Sequence, residues 1–439
     1  MLRYYLELAL LSLRRSKVLT ALMVVAIAFG VGASMTTLTV LHVLSGDPLP
    51  EKSSTLYYPQ LDPRTEDGFP PGDDPPDQLT RLDAETLLAE GRADRQALMT
   101  GGQAAVLPDP EGPGGAIEPF YASVRYTSTD FFPMFDVPFS AGRPWDASED
   151  EAGGRVAVIS KELNDKLFAG EDSAGRALRI DDTEFRIVGV LDRWRPAPRF
   201  YDLTTSHFTE AEEIYLPYST SRDLEMTRAG SMDCFDTRPP GQTETDLGAP
   251  CTWIQFWVEI SSPDDAASYL AFLENYSEEQ RQAGRFERPV NVRLPALMDW
   301  LEENEVVPSD VQLQTWLALA FFAVCLINTI GLLLAKFLRR APEIGVRRAL
   351  GASRRAVFSQ FLVESGVIGI AGGCLGLALT LLGLWAVRQQ PVEYAELAQL
   401  DLAMLIATLV AAIVSSLLAG LLPAWRACQI APAMQLKSH

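Results

Sequence analysis

Few residues of this sequence have the types and spacing that enzyme chemistry requires. Adjacent carboxylates, which could act as general acid and base, occur at Asp73-Asp74, Asp181-Asp182 and Asp264-Asp265. Each pair falls in a predicted turn or at a predicted helix start, where Asp accepts backbone N–H groups, so we assign it a structural role. None of the three histidines has a partner at metal-ligand spacing: His42, His207 and His439.

Motifs that bind nucleotides or build hydrolytic sites are also missing from the sequence. It contains no Gly-x-x-x-x-Gly-Lys-Ser/Thr phosphate loop, no His-Glu-x-x-His zinc motif and no Gly-x-Ser-x-Gly nucleophile elbow. We therefore predict no catalytic residue, no metal site and no cofactor in this chain.

Four apolar runs are long enough to cross the ~30 Å hydrocarbon core of a membrane as helices. We predict spans at 18–44, 315–337, 361–387 and 402–424. The first run contains no Lys, Arg, Asp or Glu. It exceeds the ~7–15 residue apolar part of a cleavable signal peptide, so we expect a retained helix.

Lys and Arg in the short flanks predict the orientation, because translocation of positive charge is disfavoured. Residues 1–17 carry four basic residues against one acidic residue, and residues 336–355 carry seven against one. Both segments are therefore expected in the cytoplasm, together with the tail 425–439. The apolar stripe of residues 1–17 predicts an amphipathic helix on the cytoplasmic membrane surface.

The segment between the first two spans, 45–312, is strongly acidic. It holds 23 Lys and Arg against 51 Asp and Glu, a net charge of −28, whereas the remaining residues sum to +8. Such acidity argues against nucleic acid as a partner, and we interpret it as the solubility of an exposed domain.

This acidic segment has the pattern of a mixed α+β domain. Strand and helix patterns at about 50–120 and 252–308 predict two ends of one layer, interrupted by a β-rich part at about 121–220. The clearest elements are a strand, a helix and a hairpin: Val156–Ile159, Lys161–Phe168 and 177–191.

The five cysteines divide by the predicted topology. Three lie in or beside the spans, where we expect apolar packing: Cys325, Cys374 and Cys428. Cys234 and Cys251 are the only two in the outer segment. An oxidising compartment would let them form a disulfide that closes a Pro/Gly-rich loop.

Some residues within the spans are expected to serve helix packing. Glycines four apart, at Gly369/Gly373 and Gly372/Gly376, would let helices approach closely. We expect Asn328 to bond to a neighbouring helix, and Glu364 to lie at an interfacial helix start rather than to carry protons.

The most specific pattern lies between spans two and three. It is EIGVRRALGA (343–352), followed by QFLVE (360–364) and a glycine-rich span. This pattern resembles the signature of the MacB/FtsX-type (type VII) ABC transporter permeases. DFFPMFDVPFSAGRPW and VAVISKELNDKLFAGEDSAGRALRIDDTEFRIVGVL resemble the MacB-like periplasmic core domain, and AGLLPAWRACQIAPAMQLK resembles the family's tail.

The resemblance implies a fold class and a site. The fold is four transmembrane helices plus an α+β periplasmic domain, with a β-rich inserted subdomain, between helices one and two. Residues 339–358 would form a coupling helix that docks on a separate ATPase subunit. Its coupling residues would be Glu343, Ile344, Gly345, Arg347, Arg348, Ala349, Leu350 and Gly351. Charge reversal at Arg347 and Arg348 is expected to uncouple the two subunits.

The implied function is that of the permease subunit of an ATP-driven exporter in the bacterial inner membrane, with both termini in the cytoplasm. ATP and Mg²⁺ would bind to the partner ATPase, whose action moves the periplasmic domain by mechanotransmission. Further implied partners are a second permease copy or homologue, a periplasmic adaptor with an outer-membrane channel, and membrane lipid. MacB carries its ATPase at the N-terminus, whereas this sequence begins with the amphipathic helix, so a separate ATPase is expected.

Two alternatives stay open. One is an FtsX-like regulator that relays ATP-driven motion to a periplasmic enzyme without transport. The other is a LolC/LolE-like permease that releases lipoproteins. The core-domain motifs favour the exporter over both.

Overall fold

The computed structural model describes residues 12, 15–68, 70–115, 117–400 and 402–429. They divide into two compact units. The helical bundle comprises the residues up to Ser45 together with those from Val307 onward, and the α/β domain comprises Gly46–Val306. Most of the predicted amphipathic helix 1–17 and the tail beyond Gln429 lie outside the described residues.

The first helix of the described residues and the last four belong to the bundle, and the helices between them belong to the α/β domain. In chain order they are α1 (Lys17–Leu44), α2 (Arg81–Glu90), α3 (Phe131–Met134), α4 (Ala147–Glu151), α5 (Lys161–Phe168), α6 (Tyr218–Asp223), α7 (Pro263–Gln282), α8 (Leu297–Glu303), α9 (Ser309–Arg339), α10 (Ala341–Ala349), α11 (Arg354–Arg388) and α12 (Leu402–Cys428).

Four of these helices are long and apolar enough to cross a membrane: α1, α9, α11 and α12. The fold class predicted from the sequence is thereby confirmed for the membrane part. The second spanning helix starts at Ser309, six residues before the predicted bound of 315. Four of the residues 309–314 are polar and lowered the local hydropathy, although the segment continues the same helix after Pro308.

Close helix contacts in the bundle are made at the predicted small residues. A Cβ on Gly372 would lie 2.8 Å from Cγ2 of Ile27 on α1, and a Cβ on Gly373 would lie 2.9 Å from Cβ of Ala412 on α12. Glycines on α11 therefore let α1 and α12 pack against it at backbone distance. Asn328, by contrast, lies on the exposed face of α9, so its predicted bond to a neighbouring helix is not made within the described bundle.

The strands of the α/β domain are β1 (Leu56–Tyr57), β2 (Gln60–Leu61), β3 (Leu79–Thr80), β4 (Arg95–Leu107), β5 (Phe120–Thr127), β6 (Phe139–Gly142), β7 (Val156–Ile159), β8 (Ala177–Ile180), β9 (Thr183–Leu191), β10 (Ile214–Pro217), β11 (Asp233–Cys234), β12 (Cys251–Glu259) and β13 (Val292–Arg293).

One mixed sheet organises the domain, in the order β1-β12-β4-β5-β10-β7-β9-β6. The β5/β10 and β7/β9 pairs are parallel, and the other neighbours in this order are antiparallel. β3 and β11 also pair with β12, β8 pairs with β4 and β9, and β2 pairs with β13. The strands of the predicted insertion at 121–220 therefore extend the sheet of the flanking segments. The predicted strand β7, helix α5 and β8/β9 hairpin are confirmed.

A cluster of aromatic rings and a group of buried charged side chains stabilise the middle of the α/β domain. Phe131, Phe132 and Phe135, from the DFFPMF motif, pack edge-to-face on neighbouring rings, including Trp145 and Phe200. Nearby, the side chain of Arg125 on β5 is 1% exposed and forms ion pairs with Asp202 and Glu212. These buried ion pairs hold the 199–212 loop against the sheet.

Candidate functional site

The predicted coupling helix is shorter in the structure than in the sequence-based prediction of 339–358. Helix α10 covers only Ala341–Ala349, and the chain turns at Gly351, whose φ is +100°. Ser353 then starts the next helix, because its side chain accepts the backbone N–H of Ala356. Residues 354–358 accordingly belong to α11. A positive φ is a conformation that glycine adopts without strain, which explains the position of Gly351.

The inner face of α10 is packed into the bundle. Ala341, Ile344 and Gly345 are buried, and Ile344 belongs to the same apolar cluster as Phe337 and Phe361. The rings of Phe337 and Phe361 stack with centroids 4.0 Å apart. Ile344 and Gly345, two of the predicted coupling residues, thus anchor the helix and are not available to a partner protein.

The outer face of α10 is apolar and exposed. Pro342, Val346 and Leu350 follow one another at four-residue intervals, so they share a face, and Ala349 lies beside them. Val346 is 57% exposed and Leu350 84%. Arg354 and Arg355, at the start of α11, are also exposed. Of the predicted coupling residues, Ala349, Leu350 and Gly351 are exposed here, and Val346 is a further surface residue that the prediction left out.

The charged residues of the predicted site are engaged within the chain. Arg347 forms an ion pair with Glu343 at 3.1 Å and donates to Oε1 of Gln360 on α11 at 3.2 Å. Arg348 donates to the carbonyl oxygen of Cys428 at 3.2 Å. These side chains therefore hold α10 against α11 and the end of α12, so charge reversal at Arg347 or Arg348 would disturb this packing as well as any partner.

A chain of alternating charges leads from α10 into the bundle, and we call it the ion-pair chain. It consists of Lys336, Glu364, Arg340, Glu343 and Arg347. The successive N–O distances are 2.6 Å for Lys336–Glu364, 3.3 Å for Glu364–Arg340, 3.5 Å for Arg340–Glu343 and 3.1 Å for Glu343–Arg347. The chain joins the last turn of α9, the whole of α10 and the third turn of α11.

The position of Glu364 corrects the prediction that it lies at an interfacial helix start. Its side chain is 0% exposed, ten residues into α11, beside a Lys336 side chain that is 3% exposed. Two opposite charges inside predicted spans were the sequence signal for this pair, because such charges are costly in a membrane unless they find each other.

The outer-segment cysteines, Cys234 and Cys251, form a disulfide in the structure. They face each other across the β11/β12 pair, with Cα atoms 4.0 Å apart, and close the 235–250 loop. Arg81 also holds this loop, since its Nη1 donates to the carbonyl oxygen of Thr245 at 3.0 Å.

Loss of the disulfide is expected to loosen this loop. Because the cross-link restricts the unfolded chain, Cys234→Ser should lower the unfolding free energy of the α/β domain by about 2–3 kcal/mol. Hydrogen exchange of residues 235–250 should accelerate in the variant and in reduced wild type. Cys374→Ser, which removes an exposed free thiol of the bundle, is the control and should leave that exchange unchanged. Equal loop exchange in oxidised and reduced wild type would contradict the cross-link.

The four spanning helices and the α/β domain define a multi-pass membrane protein with a large extramembrane domain, and comparison with known proteins gives its family. The model of the MacB-like periplasmic core domain matches residues 20–275, and that of the FtsX-like permease C-terminal region matches residues 316–432. The chain therefore belongs to the MacB/FtsX-type family of ABC transporter permeases. This confirms the resemblance on which the coupling-helix prediction rests.

Individual relatives are distant. The chain is 24% identical to the pyoverdine export ATP-binding/permease protein PvdT of Pseudomonas aeruginosa, over 73% of this chain and 43% of that protein. It is 23% identical to the macrolide export ATP-binding/permease protein MacB of Syntrophobacter fumaroxidans, over 72% and 47%. The chain thus spans less than half the length of these two relatives. For an uncharacterized ABC transporter permease of Bacillus subtilis, YvrN, the identity is 21% and the shares are 72% and 70%.

Two solved structures resemble part of the chain. The periplasmic region of MacB from Actinobacillus actinomycetemcomitans is 13% identical, with a TM-score of 0.36, and covers 59% of this chain and 96% of its own. The extracellular domain of the transporter YknZ from Gram-positive bacteria is 12% identical, with a TM-score of 0.34, over 54% and 99%.

Proposed function

We propose that this chain is the permease subunit of an ATP-driven exporter, and that the outer face of α10 docks on its ATP-binding subunit. The observation that carries the proposal is the exposed apolar pair Val346 and Leu350 on a helix whose opposite face is packed into the bundle. The sequence contains no phosphate loop. ATP and Mg²⁺ therefore bind to the partner subunit in this proposal.

The chemistry of this face suits a protein partner. Exposed Val and Leu side chains each stabilise a complex by ~1.5–3 kcal/mol when they are fully buried at an interface. The exposed Arg354 and Arg355 follow Leu350 closely in the chain, and Leu350 immediately precedes the Gly351 turn. A groove with an apolar floor and acidic residues near its rim would complement both features.

In this proposal α10 and both termini lie in the cytoplasm, and the α/β domain lies in the periplasm. The seven Lys and Arg between residues 336 and 355 support this orientation. In this arrangement the nucleotide-driven movement of the ATPase enters at α10. The spanning helices convey it to the periplasmic domain, which acts on substrate or on an adaptor by mechanotransmission.

The exposed face of α9 supports pairing with a second permease copy. Asn328 lies near the middle of this spanning helix, among exposed apolar side chains such as Val324 and Ile327. An amide exposed to lipid lacks hydrogen-bond partners, so contact with a helix of a second copy would stabilise it by ~0.6–2 kcal/mol. We therefore place the permease–permease contact on this face of α9.

Substitution of Val346 and Leu350 tests the docking proposal. The double variant Val346→Asp/Leu350→Asp should lose at least about tenfold in affinity for the ATP-binding subunit that co-purifies with wild type, because two carboxylates replace the buried contact. The measurement is a titration of the purified subunits in nanodiscs, together with the ATP turnover of the complex.

A matched control introduces the same two substitutions elsewhere. Val290 and Leu247 are also exposed apolar residues, 40% and 44%, and both lie in the α/β domain. Val290→Asp/Leu247→Asp should therefore bind the ATPase as wild type does. Wild-type affinity and turnover in the α10 variant, or equal losses in both variants, would contradict docking at α10.

A further inference from the structure

The carboxylate of Glu364 is contacted by three hydrogen-bond donors. Its Oε1 accepts from Ser12 at 2.5 Å and pairs with Lys336 at 2.6 Å, while its Oε2 pairs with Arg340 at 3.3 Å. A buried charge is tolerated only with such partners, because desolvation of an isolated carboxylate is very costly. One buried carboxylate thus binds Ser12 near the start of the chain and two cations at the end of α9, Lys336 and Arg340.

Each of the two cations also reaches a second segment. Nζ of Lys336 donates to Oγ1 of Thr20 on α1 at 3.3 Å. Nη1 of Arg340 donates to Oγ of Ser12 at 2.6 Å, and its Nε pairs with Glu343 on α10 at 3.5 Å. Through Glu364, α1, α9, α10 and α11 are thus tied together at one point.

These contacts meet at the start of α10, the predicted coupling helix. Helix α10 has only nine residues, too few for a stable helix on its own in water, so its orientation depends on what holds it. Ile344 supplies an apolar anchor, and apolar contacts are non-directional. The Arg340 guanidinium, by contrast, has donors in fixed directions and defines an angle as well as a position.

We propose that Glu364 is a positioning residue for ATPase coupling: with Lys336 and Arg340 it fixes the angle of α10 relative to α1, α9 and α11. When the ATPase moves Leu350, α10 then passes this movement to the spanning helices, because α10 cannot rotate independently of them. This inference rests on the proposed function for its role in coupling, although the positioning itself can be measured in the permease alone.

The first experiment needs no ATPase. Hydrogen exchange is measured on the full chain in nanodiscs for wild type and for Glu364→Gln, which keeps the shape of the side chain but removes its charge. Amides of Ala341–Ala349 should exchange at least about tenfold faster in the variant, because α10 opens locally once Arg340 loses its buried negative partner. Unchanged exchange in α10 would overturn the proposal.

Two further variants separate positioning from general stability. Ile368→Ala removes a fully buried apolar side chain one turn from Glu364 without touching an ion pair, so it should lower the thermal midpoint and leave α10 exchange as in wild type. Lys336→Met/Glu364→Met replaces the buried pair by apolar side chains, which often preserves stability. It should regain a midpoint near that of wild type while α10 still exchanges fast. If α10 exchange follows the thermal midpoint across all variants, Glu364 has a merely structural role.

ATP turnover then tests the link to coupling. In the complex with the ATP-binding subunit, Glu364→Gln should retain affinity within about twofold but lower permease-dependent ATP turnover by about fivefold, since docking remains while transmission is impaired. Turnover equal to that of wild type would overturn the coupling role. If wild type itself fails to bind the ATPase, the proposed function fails, and the exchange experiment still decides whether Glu364 positions α10.

Discussion

Replacement of Arg125 by Met is expected to lower the unfolding free energy of the α/β domain by about 3–5 kcal/mol at pH 7. The guanidinium lies on β5 and pairs with Asp202 at 2.8 Å and with Glu212. Glu212 also accepts from the hydroxyl of Tyr201 at 2.8 Å. Met fills a similar volume without charge, so the variant leaves two buried carboxylates, of which Glu212 keeps an ion pair with Arg199 at 3.3 Å.

The size of this loss should depend on pH. Burial raises the pKa of Asp202 and of Glu212, but the charges of Arg125 and Arg199 outweigh it and hold both pKa values below the ordinary range. The carboxylates therefore stabilise wild type fully above pH ~5, and this contribution is lost as the pH falls through the lowered pKa values. Without Arg125, burial should raise both pKa values, so the difference between variant and wild type narrows from pH 7 to pH 5.

Hydrogen exchange of the β5 amides in the full chain, converted to an opening free energy at each pH, measures both effects. Arg179→Met is the matched control, because Arg179 is 57% exposed and its nearest carboxylate, on Asp182, is 3.8 Å away. Its effect should remain within about 0.5 kcal/mol. A loss below about 1 kcal/mol for Arg125→Met, or a loss that grows at pH 5, would contradict the proposed charge balance.

Much of the fold could be predicted because the relevant signals are local in sequence. The lengths of the apolar runs indicate the four spanning helices, and period-two patterns with turn residues indicate strands such as β7 and the β8/β9 hairpin. The order of the strands in the sheet, by contrast, depends on contacts between distant segments and could not be predicted. The predicted insertion continues the main sheet because β5 pairs with both β4 and β10, and β10 lies far along the chain from β5.

The candidate site also combines features that the sequence could predict with features that it could not. A motif could indicate which segment couples, but not which side of a nine-residue helix faces outward, because EIGVRRALG has apolar residues on two opposite sides. Burial of Ile344 and exposure of Val346 depend on the contacts that α9 and α11 make with α10. The ion-pair chain likewise joins residues from separate helices, and only the unusual presence of Lys336 and Glu364 within spans indicated it.

Gly372→Leu is expected to disrupt the bundle where α11 meets α1. A Cβ at this position would lie 2.8 Å and 2.9 Å from two atoms of Ile27, and Ile27 is itself fully buried. Since the side chain of Ile27 has no free space to move into, α1 and α11 must separate. Overpacking of this kind costs about 1–3 kcal/mol or more, and even Gly372→Ala should lower the thermal midpoint of the protein in nanodiscs.

Gly331 on α9 is the matched control, because a Cβ there would meet no atom within 4 Å. Gly331→Ala should leave the midpoint unchanged or raise it, since Ala is favoured over Gly in a helix by about 0.5–1 kcal/mol. The same substitution thus has opposite expected signs at two glycines of the bundle, and the sign depends on the distance to the neighbouring helix. Equal midpoint shifts at both positions would contradict the close approach of α1 and α11. They would also argue against direct packing as the route by which a movement of α11 is passed to α1.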